Sequence, residues 1–358
     1  MNVTRRTVRL RLSEPLRISR STMAARDAVW LTVEHQGLRG HGEAVTSAYY
    51  GLDAPTIERL LDDAARELRR FDGPESALDA LRAGAPALTA APPAVIAAVE
   101  SALLDLAGKR AGVPVHQLLG DRPGPAAAPP RAATARTIGI TPARRAAALA
   151  GHLVRQGFTV LKLKAGAPDP DDDVARVRAV RAAAPHARLL LDPNGAWTAD
   201  RCARLLPRFV ELGVEAVEQP LVPGDPEALA RLAERSPLPV IADEDAVGLD
   251  DVRRLAGRVQ GVNVKLAKCG GVTAALRIAR LIAGSGTELM LGCLTASTLG
   301  IAPAVHLADR ARWTDLDGHL LLADDPWTGI GGADGTVRTG RKPGLGVRPR
   351  ATARGAGA

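Results

Sequence analysis

The sequence predicts an α/β protein, an eight-stranded parallel barrel behind a smaller α+β domain, on three observations. From Arg136 to His319, eight short β-like runs alternate with amphipathic helical stretches. Eight such units favour a closed barrel over an open sheet, and no Gly-rich phosphate turn follows the first run as a dinucleotide site would require. The charged residues that interrupt these runs stand at their carboxyl ends, where barrels of this kind carry their active sites.

In chain order, residues 1–120 read as the α+β domain. They hold the alternating runs Val8-Leu10-Leu12 and Val29-Leu31-Val33, a turn centred on Gly37, and helical stretches over 56–68, 75–81 and 93–111. The Pro- and Ala-rich segment 121–135 is expected to be a linker. The barrel occupies 136–323, with strand cores at 137–140, 160–164, 188–191, 216–218, 240–242, 261–266, 288–292 and 314–317. Helices are expected between them, as over 171–184 and 274–283, and Gly270-Gly271 reads as the start of a helix. Residues 324–347 are expected to return to the first domain, and 348–358 to form a disordered tail.

With 358 residues, 46% of them hydrophobic, the chain can bury a sizeable core and more than one domain. No apolar run approaches a bilayer-spanning length, and the N-terminus leads into an alternating strand, so no membrane partner and a cytoplasmic location are expected. Cys202, Cys269 and Cys293 are odd in number and widely spaced, which reads as reduced and structural. The net charge of +8 comes from scattered arginines, and only 3% of residues are aromatic, so no specific nucleic-acid partner is expected.

The chemistry lies in five charged positions. Asp192, Glu218 and Asp243 each close a short apolar run and read as three ligands of one Mg2+ ion, while Lys162-Leu163-Lys164 and Lys265 flank them in sequence. Side chains alternate along a strand, so Lys162 and Lys164 project to one side. Crowding two cations disfavours the charge of each, which is expected to leave one neutral as a base. A lone Asp before Pro is usually a turn residue and a lone lysine pair a solvated face; the regular spacing at successive strand ends argues for a shared site. Buried charge without a partner or metal is too costly to persist.

These residues resemble the enolase superfamily, specifically its muconate-lactonising-enzyme-like subgroup, over nearly the whole chain. The motifs are Lys162-Leu163-Lys164, Asp192-Pro193-Asn194, Glu218-Gln219-Pro220, Ala242-Asp243-Glu244, Asn263-Val264-Lys265 through Lys268-Cys269-Gly270-Gly271, and Pro343-Gly344-Leu345-Gly346. The resemblance implies a modified (β/α)7β TIM-type barrel whose N-terminal α+β domain caps the active site, one Mg2+ per site, and a homo-oligomer. It also implies abstraction of a proton next to a carboxylate, giving an enediolate. Lys164 and Lys265 would be the acid/base groups on opposite faces, and Lys162 would tune Lys164 and contact the carboxylate. Lys268 lies at an odd offset from Lys265 and is expected to be structural or on the surface.

Within that subgroup, Thr314-Asp315-Leu316-Asp317 looks like the Asp-x-Asp pair by which dipeptide epimerases bind a free ammonium group. The resemblance therefore implies a dipeptide substrate held by Asp315 and Asp317. Arg20 in a capping loop would pair with a glutamate side chain, and Thr137 and Ser297 would complete the substrate contacts. Tyr49 and Tyr50 are placed to close over the substrate, and Ala296 stands where many relatives carry Glu. Two other readings remain open: another enzyme of the subgroup (cycloisomerase, o-succinylbenzoate synthase or N-acylamino-acid racemase), and a non-catalytic, polyanion-binding protein.

Overall fold

The computed structural model describes residues 1–119 and 128–350. Its N-terminal sheet is a meander in the order β1 (Asn2–Arg17), β2 (Thr22–His35), β3 (Leu38–Val45). Gln36 and Gly37, with φ of 50° and 76°, close the β2–β3 hairpin in the left-handed turn that matches the twist of antiparallel strands. The third strand, which follows the expected turn at Gly37 and carries Gly40 and Gly42, was not among the expected elements. The reason for these glycines is packing: a Cβ on Gly40 or Gly42 would collide with the carbonyl oxygens of Ala102 and Ala98, on the helix Pro93–Ala111. That helix is apolar nearly all round and buried over most of its length, as a central packing element must be.

β4 (Arg131–Ala133) lies within the segment expected as a linker and pairs with β14 (Thr336–Arg338). The rest of that segment, 121–127, lies outside the described residues. The barrel follows: β5 (Ala135–Ile138), β6 (Val160–Lys164), β7 (Arg188–Asp192), β8 (Val214–Glu218), β9 (Val240–Ala242), β10 (Gly261–Lys265), β11 (Glu288–Gly292) and β12 (Trp313–Asp315). All pair in parallel and in sequence order, as predicted. The seam between first and last strands is stitched by Thr137 N donating to Asp317 at 2.7 Å and Leu316 N donating to Thr134 Oγ1 at 2.9 Å. Boundaries differ from expectation by two residues at β8, which starts earlier, and at β5 and β12. β5 starts and ends two residues earlier, and β12 stops at Asp315, because a bend at Asp317 starts the 3₁₀ turn Gly318–Leu321.

Helices cover the outside, including Pro170–Ala183 and Val272–Ile282, the latter capped by Gly271. After the barrel the chain runs back to the capping domain. Leu345 N donates to the buried Asp105 at 2.8 Å, and Trp327 stands edge-on to Trp30 at 5.5 Å. β15 (Arg348–Pro349) pairs with β13 (Trp327–Thr328), so the expected disordered tail begins as a strand; residues 351–358 lie outside the described residues.

Candidate active site

The barrel interior is built in layers by the two-residue alternation of its strands. Ala135, Val160, Leu190, Ala216, Ile241, Met290 and Trp313 form an apolar floor. Two residues further along each strand the same inward rows continue as Thr137, Lys162, Asp192, Glu218, Asp243, Gly292 and Asp315, with Asn263 following Gly261 on β10. One step more adds Lys164 and Lys265. An apolar floor thus carries a charged ceiling, facing a cavity of about 540 Å3 under the capping domain.

Asp192 and Glu218 end β7 and β8, Asp243 directly follows β9, and all three are at most 2% exposed. Each is held by an ammonium or an amide. Lys164 Nζ lies 2.5 Å from Asp192, Lys265 Nζ 2.6 Å from Asp243, and Lys162 Nζ 3.3 Å from Glu218. Lys162 also bonds Asp315, and Asn263 Nδ2 donates to Glu218 at 2.7 Å. Among the described residues no group of three acidic, histidine or cysteine side chains is arranged to hold a metal as it stands, because the lysines intervene.

The electrostatics follow from this packing. Burial opposes the charge of Lys162, yet Asp315, Glu218 and Asp192 outweigh it and hold its pKa well above the ordinary lysine value. The cationic crowding expected to neutralise one lysine is therefore overridden at Lys162 by three carboxylates. Burial likewise opposes the charge of Lys265, and Asp243 and Glu218 raise it. Burial would raise Asp243, but Lys265 and Lys268 pull it well below the carboxylate range. Glu218 is pushed up to about 8, first by burial and then by the neighbouring Asp192.

Lys268 is a centre of the site that the strand period misplaces. β10 ends at Lys265 and the short helix Leu266–Cys269 follows, so a three-residue step turns Lys268 back under Asp243 rather than to the surface. Its ammonium is fully buried and reaches the Asp243 carboxylate and backbone oxygen, each at 2.5 Å, and Asn263 O at 2.9 Å. Gln219, to which no role was given, links neighbouring strand ends: its amide donates to Asp245 at 2.7 Å and accepts from Asp243 N at 3.0 Å. Gln219 and Asn194, following two of the acids, adopt left-handed φ of 37° and 50°. Backbone strain of that kind gathers at functional sites.

On the opposite wall, Asp317 accepts from Arg136 at 3.2 Å and from Thr137 N, while Oδ1 of Asp315 is buried with no hydrogen-bond partner. The capping loops bring Arg20, Tyr49 and Tyr50 to the cavity. Arg20 is bound to Glu244 at 2.7 Å and to Asn194 O at 3.0 Å, and lies 4.6 Å over the Tyr49 ring. Thr137 lines the cavity; Ser297 does not. Ser297 is fully buried, caps the helix Thr298–Val305 and bonds Glu43 of the capping sheet, which leaves its hydroxyl no route to a ligand. Cys202, Cys269 and Cys293 are free, as expected.

The family model described as enolase C-terminal domain-like matches residues 144–353, and that for the mandelate racemase / muconate lactonizing enzyme N-terminal domain matches residues 1–120. The hydrophobic dipeptide epimerase of Roseobacter litoralis is 33% identical, over 97% of this chain and 98% of its own. A dipeptide epimerase from Enterococcus faecalis, solved with Mg and L-Leu-L-Tyr, superposes with a TM-score of 0.88 at 30% identity over 97% of this chain and 98% of its own. One from Methylococcus capsulatus, solved with Mg and L-Arg-D-Lys, gives 0.82 at 31% identity over 97% and 98%. With both domains matched and relatives of this similarity along nearly its full length, the chain belongs to the mandelate racemase / muconate lactonizing enzyme family of enolase-like barrels.

Proposed function

We propose that this protein is a Mg2+-dependent dipeptide epimerase, an isomerase that inverts the α-carbon of the C-terminal residue by moving a proton between two lysines. The observation that carries the reading is the placement of Lys164 on β6 and Lys265 on β10. These strands stand four apart in an eight-stranded barrel, so the two ammonium groups project into the cavity from opposite walls. The acids of β7, β8 and β9 fill one arc between them, and Asp315 and Asp317 lie on the other.

The donor set fits a hard divalent cation. It offers three buried carboxylates with unpartnered acceptors beside them at Asn194 Oδ1 and Glu244 Oε2. Asp192, Glu218 and Asp243 would hold the ion, which when bound supplies positive charge to the substrate carboxylate and relieves the lysines of their carboxylate partners. At the other end, the buried unpartnered oxygen of Asp315 and the carboxylate of Asp317 receive the substrate ammonium. Spanning the mouth between these arcs, a dipeptide presents its second α-carbon to Lys164 on one side and Lys265 on the other.

In neutral form one lysine Nζ takes the α-proton, and the electron pair passes into the carboxylate as an enediolate. The charged Lys162, held among its carboxylates, stabilises that negative charge. The opposite lysine, protonated, returns a proton to the other face. Tyr49 and Tyr50 close the outer side and limit water. No described helix is long and apolar enough to cross a membrane.

Proton NMR in D2O with Mg2+ and a panel of L,L-dipeptides tests the reading. Loss of the α-proton signal of the second residue together with growth of the L,D diastereomer is expected. No exchange with any dipeptide, in a folded and Mg2+-loaded sample, would move the assignment to another acid of the subgroup.

A further inference from the structure

Three arginines of the capping domain line the cavity, and their charges are not equally balanced. Arg20 is paired with Glu244 at 2.7 Å and Arg9 with Asp27 at 3.2 Å. Arg26, on β2, has no carboxylate partner among the described residues. Its Nε and Nη2 reach only the thioether of Met23, at 3.4 and 3.3 Å, a weak acceptor, and Nη1 is buried with no partner. A guanidinium desolvated in this way is costly unless something else supplies the missing anion. Burial accordingly lowers its pKa, and the one group opposing this is the Cys293 thiol, itself kept neutral by burial.

Arg26 also has a defined place along the cavity. Cys293, another residue lining the cavity, lies against the last barrel strand: its Sγ would sit 3.1 Å from a Cβ on Gly318, the residue after Asp317, and it feels the charges of Asp315 and Asp317. Arg26 lines the same cavity as Cys293 and as the two acids that receive the substrate ammonium. A side chain leaving the first residue of a dipeptide, whose ammonium those acids hold, shares that cavity with the guanidinium. Arg20, bonded to Glu244 and Asn194 O, stands instead beside the metal-ligand arc.

We propose that Arg26 is a specificity-determining residue that receives the side-chain carboxylate of an acidic first residue, so that the preferred substrates are dipeptides beginning with Asp or Glu. The inference rests on the dipeptide reading above and adds to it the charge and position of the selected side chain. A carboxylate there gives the unpartnered Nη1 a charge-assisted bond, whereas an isosteric amide does not compensate the charge. A cationic first residue is rejected by the same field.

The test is kcat/KM, by α-proton exchange with Mg2+, for the matched pairs L-Glu-L-Ala and L-Gln-L-Ala, and L-Ala-L-Glu and L-Ala-L-Gln, with L-Ala-L-Ala as reference. In the native protein Glu-Ala should exceed Gln-Ala by about tenfold or more, the size expected of one hydrogen bond between charged groups. Arg26→Gln should bring that ratio to near one, and Arg26→Lys should restore part of it by returning the charge. Turnover of Ala-Ala without a Glu-Ala preference, or a preference that survives Arg26→Gln, would overturn the inference while leaving the epimerase reading standing. An acidic preference confined to the second position would overturn the placement. Absence of turnover with every dipeptide would remove the epimerase reading, and this inference with it.

Discussion

Lys268 donates twice to Asp243, its buried Nζ lying 2.5 Å from the carboxylate oxygen Oδ1 and 2.5 Å from the backbone carbonyl. Lys265 takes the other carboxylate oxygen at 2.6 Å. One acid thus joins a fully buried lysine that orients it to a second lysine that lines the cavity. Removing one member of a buried pair costs about 3–5 kcal/mol. Lys268→Met is expected to lose stability in that range by denaturant unfolding, and Lys265→Met, whose side chain is 12% exposed, distinctly less.

Metal binding should be visible in stability. Mg2+ that binds the folded state adds about 2.7 kcal/mol at a hundred times its dissociation constant. The midpoint of thermal unfolding is expected to keep rising with the logarithm of Mg2+ concentration above the dissociation constant, to be brought back by a chelator, and to be flat for Asp192→Asn.

Asp315→Asn tests the ammonium end. Hydrogen bonds to charged groups contribute about 1.5–3 kcal/mol, so kcat/KM for dipeptides should fall about ten- to a hundredfold. Unchanged dipeptide kinetics in this variant would favour a substrate without a free amine.

Glu43 couples the capping sheet to the barrel and should make stability pH-dependent. Its carboxylate accepts from Ser297 N at 2.8 Å and Trp30 Nε1 at 2.7 Å, and burial lifts its pKa from 4.5 to about 7. The folded state therefore binds the proton more tightly than the unfolded chain. The contribution is fully present below about pH 4.5 and is lost as pH rises through about 7. A loss of about 1–3 kcal/mol between pH 5 and 8 is expected by denaturant titration, and Glu43→Gln should remove it.

The fold and the charged ring were legible because they rest on short-range regularities. Each inward row two residues past the apolar floor carries its polar group at a strand end, so counting by two from Val160 or Leu190 finds Lys162 and Asp192. What escaped depends on where that period stops or on distant partners. Lys268 sits past the end of its strand, in a helical turn. β3 was given no element, and its Gly40 and Gly42, which weaken a strand pattern, are needed by a helix about sixty residues away in sequence. Ser297 looked available until its pairing with Glu43 appeared, and Arg26 was one arginine among many until its partners could be compared with those of Arg9 and Arg20.

The central claim is that Lys164 and Lys265 serve opposite faces of one α-carbon, and stereospecific exchange in D2O tests it most directly. With L,L- and L,D-dipeptides supplied separately, Lys164→Ala and Lys265→Ala should each lose epimerisation by about a hundredfold or more. Each variant should nonetheless keep α-proton exchange for one diastereomer, and a different one in each. Exchange of both diastereomers by either variant, or loss of the same one in both, would contradict a two-lysine mechanism.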